Sequence, residues 1–316
     1  MNQKSKPVVI DFNAEFKRAM ALMEETQRNI LITGRAGTGK STLLTYFRNA
    51  TKKKVVILAP TGVAAVNVEG QTIHSFFHFK PNVTAASIKR KKKSEKDKPT
   101  IYKKLTTIVI DEVSMVRADL LDCIDKFLHL NGPNEKQPFG GVQMIFIGDL
   151  YQLPPVVTSA ERDIFKSHYP TPYFFSAKCF DQINIEYVEL EKVYRQKDDE
   201  FVRLLNTIRN RSVTDDDLVQ FNKRCDPQFE APPGSFYLSL TSTNALADAI
   251  NEKRLAELPG RLWKAAGQIE GDFGKEYLPT AVDLKLKKGA QIMLLNNDSL
   301  GQWINRSEEH TSELQS

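Results

Sequence analysis

One segment, residues 34–41 (GRAGTGKS), limits what this chain can fold into more than any other feature. It fits the pattern Gly-x4-Gly-Lys-Ser, in which glycines let the main chain wrap round a polyphosphate with its N–H groups pointing inward. The apolar segment 29–33 predicts a buried strand before it, and residues 41–49 predict a helix after it. This order is typical of a phosphate-binding loop; a plain glycine-rich turn is the simpler alternative.

The loop predicts how its side chains meet a nucleotide. Lys40 is expected to reach the β- and γ-phosphates of ATP, and the Ser41 hydroxyl to hold Mg²⁺. The helix that begins here adds unpaired N–H groups and the positive end of its dipole. The residues predicted to bind the nucleotide are Gly34, Ala36, Gly37, Thr38, Gly39, Lys40, Ser41 and Thr42.

Composition excludes several other classes of protein. The 316 residues suffice for about two domains, and 41% hydrophobic with 26% charged residues is typical of a soluble globular protein. No apolar run is long enough to cross a bilayer, and the first residues lack the apolar core of a signal peptide. Cys123, Cys179 and Cys225 stand singly, without the spacing of metal ligands. We therefore expect a cytoplasmic protein, nucleoid-associated if bacterial, with no membrane partner.

Basic residues are concentrated in two runs. The net charge of +5 is too small to indicate a nucleic-acid partner by itself. The runs at 52–54 and 89–93, with further lysines up to residue 104, are dense enough to contact phosphates. A solvated loop is the alternative for such a run.

Strands and helices alternate along the first half of the chain. Apolar segments at 54–59, 107–110 and 142–147 predict strands, and helical spacing predicts helices over 11–25 and 118–130. Polar residues follow the end of each strand. This alternation predicts an α/β fold, with a parallel sheet, helices on both faces and a site at the carboxyl edge.

The pattern restarts after about residue 180, without a second phosphate-binding loop. It predicts strands over 185–190, 237–241 and 291–295, and helices over 199–209 and 244–258. We therefore predict a first domain over 1–180 and a second α/β unit over 181–305.

Acidic and amide side chains follow the third and fourth predicted strands. Asp111 and Glu112 suit a Mg²⁺ ligand and a general base that polarises the water attacking the γ-phosphate. Gln152, after the fourth strand, is placed to contact the γ-phosphate and report its loss. Two acids after a strand are by themselves usually a solvated turn, but the preceding phosphate-binding loop reverses that expectation.

Four motifs in order resemble those of one helicase family: residues 59–65 (APTGVAA), 72–77 (TIHSFF), 111–115 (DEVSM) and 148–156 (GDLYQLPPV). They are similar to the motifs of Pif-one helicases, relatives of RecD that translocate 5′ to 3′ on single-stranded DNA. The resemblance implies an ATP-dependent DNA helicase with two RecA-like domains of the P-loop NTPase type, and ATP bound between them. It also implies partners in single-stranded DNA and duplex junctions, and a monomer in solution.

The resemblance assigns roles to individual residues. Lys40, Asp111, Glu112 and Gln152 match the catalytic set, with Ser41 and Asp111 on the metal, and Arg195 matches the arginine that reaches the phosphates from the second domain. The Lys-rich insertion at 78–106 matches one that helps to split duplexes. The residues matching DNA-facing positions are Pro60, Thr61, Gly62, His74, Ser75, Phe76 and Phe77. Phe76 and Phe77 equally suit a core, and we expect this of at least one.

Two features depart from the family pattern. The glutamine that often reads adenine is missing, with only Gln27 nearby, which leaves base selectivity open. The pattern stops at residue 305, and residues 306–316 match the in-frame translation of a common sequencing-library adapter. We therefore expect a partial second domain followed by a non-native tail, and a chain that binds nucleotide weakly and does not unwind DNA by itself.

Two other functions suit the same motifs. A RecD-like motor subunit of a nuclease complex shares the chemistry but not the partners. A nucleotide-dependent DNA-binding switch never unwinds its substrate.

Overall fold

The computed structural model describes residues 13–90, 101–159, 161–194, 199–232, 235, 237–268, 281–293 and 308–310. The chain divides into two compact units, Met1–Thr214 and Asp215–Ser316. Within the described ranges, no helix has the length and apolar character needed to cross a membrane.

The first unit is built on a parallel sheet with helices packed on it. Its strands are β1 (Asn29–Gly34), β2 (Val55–Ala59), β3 (Gln71–Thr72), β4 (Thr107–Ile110), β5 (Gln143–Gly148) and β6 (Ile185–Leu190). Its helices are α1 (Ala14–Glu25), α2 (Lys40–Ala50), α3 (Gly62–Asn67), α4 (Ile73–Phe77), α5 (Ile101–Lys104), α6 (Ala118–Asn131), α7 (Arg162–His168) and α8 (Asp199–Arg209).

The strand order is β3-β2-β4-β5-β1-β6, and every pair is parallel. Both faces of the central strands are covered, so β4 and β5 are buried at every residue. Alternate side chains enter different cores: Ile108 and Ile110 pack with α6, while Val109 packs with α1 and α2. The predicted α/β class, with helices on both faces of a parallel sheet, is confirmed.

The strand Ile185–Leu190 lies in the first sheet, although the sequence suggested that it opens a second domain. It pairs with β1 from Asn29↔Ile185 to Gly34↔Leu190. Val188 and Leu190 bury their side chains in the core beneath α1 and α2. The division between the two units therefore falls after Thr214 and not near residue 180. The sequence does not show this, because the alternating pattern of an edge strand does not encode which sheet the strand joins.

The second unit contains two helices and two antiparallel strand pairs among its described residues. They are α9 (Asp215–Asn222), α10 (Asn244–Glu257), β7 (Trp263–Ala266) with β8 (Asp283–Leu286), and β9 (Gln291–Met293) with β10 (Glu308–His310). The predicted helix over 244–258 and the start of the predicted strand at 291 are confirmed. Residues 308–310 of the predicted non-native tail pair with β9.

The strand predicted over 237–241 is absent: these residues are irregular in the structure. Leu240 is 96% exposed, and Tyr237 and Leu238 are more than half exposed. Alternating apolar residues form a strand only where a partner strand accepts their hydrogen bonds, and the described part of this unit pairs nothing with them.

Candidate nucleotide-binding site

The predicted phosphate-binding loop joins β1 to α2 and depends on two glycines. A Cβ on Gly34 would lie 2.5 Å from the Leu190 carbonyl oxygen and 2.7 Å from Thr38 Oγ1. Gly39 has a φ of 91° and occupies the N-cap of α2 in the left-handed region. No side chain caps the first N–H groups of α2, so they remain available to an anion.

Lys40 turns back into this loop. Its Nζ donates to the main-chain oxygens of Gly34 at 2.7 Å and Arg35 at 3.0 Å. Burial lowers the pKa of Lys40, and the negative charges of Asp149, Glu112 and Asp111 oppose that shift. The ammonium group therefore contacts two main-chain carbonyl oxygens and lies within electrostatic reach of three carboxylates.

Asp111 and Glu112 follow β4, as predicted. Burial raises the pKa of Asp111 to about 6, and the negative charge of Glu112 adds to the rise, while the Glu112 N–H and Lys40 oppose it. Glu112 has a φ of 49° and begins a short 3-10 turn. A glutamate in the left-handed region costs on the order of 1 kcal/mol, and such strain is concentrated at functional sites.

The topology places a strand between the loop and these acids. β5 lies between β1 and β4, and its end brings Asp149 to the same edge. Asp149 exerts the largest charge effect on the pKa of Lys40, ahead of Glu112 and Asp111. Asp149 lies within one of the four motifs, but no role was predicted for it; its position directly after a buried strand was the available signal.

Asp149 organises the segment that carries Gln152. Its carboxylate accepts from Tyr151 N at 3.1 Å and from Gln152 Nε2 at 3.3 Å. It also accepts two hydrogen bonds from Arg209, which the sequence did not single out. Burial alone raises the pKa of Asp149, but these hydrogen bonds and the Arg209 charge outweigh burial and hold the pKa below its ordinary value.

The segment after β6 runs beside the loop. Tyr194 N donates to the Gly37 oxygen at 2.8 Å, and the Tyr194 ring lies 3.8 Å from where a Gly39 Cβ would stand. Arg195 itself lies outside the described residues. Its predicted role stays a prediction, although its neighbour contacts the loop.

The side chains expected on Mg²⁺ fit that ion chemically. Ser41 offers a hydroxyl and Asp111 a buried carboxylate, and Mg²⁺ prefers hard oxygen ligands completed by substrate phosphates. A nearby cation favours ionised Asp111, which burial disfavours. In the described ranges, no group of three or more His, Cys, Asp or Glu residues is arranged to hold a metal. A metal here would therefore depend on phosphate oxygens as well.

The segments predicted to face DNA follow β2 and β3, at the same edge of the sheet. Thr61 caps α3 by accepting from Ala64 N at 3.2 Å, and Thr72 caps α4 by accepting from Ser75 N at 3.2 Å. Pro60 and Gly62 are half-buried beside them. Burial lowers the pKa of the half-buried His74.

The structure places both Phe76 and Phe77 in the core, which corrects the prediction that they face DNA. They are 6% and 1% exposed. Phe76 packs edge-on against Tyr102 and Phe77 against Phe127, with ring centroids 5.4 and 5.1 Å apart. A ring enclosed in this way offers no face to a base, so within the 72–77 segment the predicted contact with DNA stays a prediction for His74 and Ser75 alone.

The glycine loop, the acids after β4 and the parallel sheet all lie within the part of the chain that matches one protein family. The model of the PIF1-like helicase family matches residues 12–217. The chain belongs to the PIF1-like helicase family. Its sheet and loop are those of a RecA-like P-loop NTPase, the fold of the solved Pif1 helicases to which it is similar.

Curated relatives of the PIF1-like family carry helicase names. The chain is 34% identical over 292 residues to the ATP-dependent DNA helicase PIF1 of Saccharomyces cerevisiae, covering 87% of this chain and 33% of that protein. It is 31% identical over 308 residues to the ATP-dependent DNA helicase Pif1 of Bdellovibrio bacteriovorus, covering 94% and 66%. The chain thus spans between about a third and two thirds of these relatives.

Solved PIF1-like structures superpose closely. A Pif1 structure described as unwinding forked duplex DNA through two coordinating helicases has a TM-score of 0.82 at 34% identity, covering 97% of this chain and 72% of that one. The Bacteroides Pif1 helicase in complex with ADP-AlF3 and single-stranded DNA has a TM-score of 0.79 at 34% identity, covering 95% and 69%.

Proposed function

We propose that the protein containing this chain is an ATP-dependent DNA helicase. It couples ATP hydrolysis to 5′-to-3′ movement along single-stranded DNA and to unwinding at duplex junctions. One observation carries the proposal: at a single sheet edge, the half-buried Lys40 of a glycine loop lies within electrostatic reach of Asp111, Glu112 and Asp149. The names of the similar proteins support it.

The residues of this edge divide the work of hydrolysis. Lys40 and the loop N–H groups bind the β- and γ-phosphates. The Glu112 carboxylate takes a proton from water as the water oxygen bonds to the γ-phosphorus. The bond from that phosphorus to the bridging oxygen then breaks, and ADP leaves with the electron pair. Mg²⁺ on Ser41 and Asp111 would neutralise charge on the phosphates, and Gln152 senses the γ-phosphate.

Single-stranded DNA is the proposed polymer substrate. Thr61, Gly62, His74 and Ser75 cluster after β2 and β3, where small side chains and N–H groups suit phosphate contacts. Arg195 is proposed to neutralise charge on the transferred phosphoryl group, and residues beyond Asp215 to contribute to a second RecA-like domain. We also propose a monomer in the cytoplasm, working on the chromosome.

The test measures hydrolysis and unwinding with the natural full-length protein. ATPase rate is recorded with and without single-stranded DNA, and strand displacement with 5′-tailed and 3′-tailed duplexes. Lys40→Ala is expected to abolish both activities, while Lys17→Ala, on the exposed face of α1, matches the parent. Unwinding from 3′ tails alone, or full hydrolysis by Lys40→Ala, would contradict the proposal.

The same measurements separate two rival functions. DNA-stimulated hydrolysis without displacement from either tail favours a nucleotide-dependent DNA-binding switch. Displacement that requires co-purifying nuclease subunits favours a RecD-like motor subunit. The helicase is favoured because the similar structures carry that description at 34% identity over most of this chain.

A further inference from the structure

An ion pair ties the end of α8 to the end of β5. Arg209, the last residue of α8, donates from Nη1 to both carboxylate oxygens of Asp149, at 2.8 and 2.7 Å. The Asp149 side chain is 3% exposed and that of Arg209 is 16% exposed. A charge-assisted hydrogen bond at a site so shielded from water is screened less by solvent and salt than a surface ion pair.

The carboxylate that Arg209 holds also holds Gln152. Asp149 Oδ2 accepts from both Arg209 Nη1 and Gln152 Nε2, and Oδ1 accepts from Tyr151 N. The Arg209 guanidinium in addition lies 4.2 Å from the centre of the Tyr151 ring. Tyr151 is 67% exposed, and Gln152 is exposed too, so these contacts, more than core packing, fix the two residues.

Asp149, Gln152 and Arg209 meet at the end of β5, at the sheet edge where the phosphates are proposed to bind. Lys40 is within electrostatic reach of Asp149 and Arg209, each of which influences its pKa. Arg209 contacts Asp149 and Tyr151, so its effect on a nucleotide passes through Asp149. Gln152 is exposed, and its amide has a second N–H group, beside the one donated to Asp149, that can donate to a phosphate.

We propose that Arg209 is a positioning residue for ATP hydrolysis: by holding Asp149 and covering Tyr151, it sets the orientation of Gln152. The inference rests on the proposed function, because it requires Gln152 to act on the γ-phosphate. It assigns a role to the contact between Arg209 and Asp149, which are 60 residues apart in the chain.

The test is a double-variant cycle in the full-length protein. Arg209→Gln is expected to lower kcat for ATP hydrolysis roughly ten- to a hundredfold, as for loss of a charge-assisted hydrogen bond. KM for ATP is expected to change by less than about threefold, because this substitution leaves Lys40 and the N–H groups of the loop in place to bind the phosphates. In a Gln152→Ala background, the same substitution lowers kcat by less than about twofold, because the group it positions is gone.

Controls separate positioning from stability. Removing Arg209 leaves the buried Asp149 carboxylate without its cation, which destabilises the fold. Rates are therefore normalised to the number of nucleotide-binding sites, counted by titration. Arg209→Lys keeps the charge but loses the flat contact of the guanidinium with the Tyr151 ring. It is measured with and without Gln152→Ala in the same way, and alone it is expected to lower kcat about threefold. Arg211→Gln makes the same charge change at an exposed position and is expected to match the parent.

The outcomes are distinct. Equal losses from Arg209→Gln with and without Gln152 would overturn the inference, as would a kcat matching that of Arg211→Gln. A parent protein that hydrolyses ATP no faster than Lys40→Ala would overturn the proposed function, and with it this inference.

Discussion

Glu112 combines a strained backbone with the position of a general base. Replacing it with Gln keeps the size and hydrogen-bonding reach of the side chain but removes its ability to accept a proton. We expect Glu112→Gln to bind nucleotide within about threefold of the parent and to lose about 10²- to 10⁴-fold in kcat.

The measurement pairs single-turnover ATP hydrolysis with titration of a fluorescent nucleotide. Glu25→Gln, an exposed carboxylate at the end of α1, is the matched control. Hydrolysis by Glu112→Gln at the parental rate would assign the base elsewhere.

Asp111 is a residue whose position costs stability. Burial raises its pKa from an ordinary 3.8 to about 6, so the folded state holds its proton more tightly than the unfolded state. The folded protein is therefore favoured below about pH 4, and this advantage is lost as the pH rises to about 6. At pH 7.5, Asp111→Asn should raise stability by up to about 3 kcal/mol while removing hydrolysis.

Thermal unfolding in EDTA from pH 4 to pH 8 checks this expectation. The Tm advantage of Asp111→Asn should shrink as the pH falls below about 6, because parental Asp111 then becomes neutral too. A difference in Tm that is constant over the whole range would show that charge burial is not its cause.

At the scale of elements, the phosphate-binding loop is held against the end of β6. The Cβ of an alanine at position 34 would stand 2.5 Å from the Leu190 oxygen, which is main chain and cannot rotate away. Gly34→Ala should therefore separate β6 from the loop, lowering stability by about 1–3 kcal/mol and weakening nucleotide binding.

Gly260→Ala is the control for backbone strain alone. Gly260 has a φ of 97°, and a Cβ there meets nothing within 4 Å. Urea unfolding of both variants isolates the steric effect. If Gly34→Ala costs no more than Gly260→Ala, the loop does not depend on close contact with β6.

At the scale of the whole protein, the proposed helicase should couple its sheet edge to DNA through phosphates. The logarithm of the binding constant for single-stranded DNA is expected to fall linearly with the logarithm of salt concentration, because each phosphate contact releases counterions. Replacing the basic residues at 89–93 with Ser should lower unwinding more than basal hydrolysis; residues 91–93 lie outside the described residues.

Fluorescence anisotropy over a salt series, beside ATPase and strand-displacement assays, measures both effects. Lys17→Ser is a control for loss of a surface charge. Equal losses of hydrolysis and unwinding in the 89–93 variant would contradict the division of labour between insertion and sheet edge.

The sequence by itself determined the features that are local in the chain. The loop at 34–41, the buried strands and the acids after β4 are encoded by contiguous residues, and the sheet with its helices appeared as predicted. The order of motifs was enough to indicate the helicase family. Such features follow from backbone freedom, hydrophobic periodicity and strand-end position.

Only the tertiary structure decided which distant segments meet. It placed β5 between the loop and Asp111, and β6 in the first sheet, because strand pairing joins residues far apart in sequence. It put Phe76 and Phe77 in the core, because burial depends on what covers a ring and not on its neighbours in the chain. The contact between Arg209 and Asp149 exists for the same reason: charge pairing across 60 residues has no local signature.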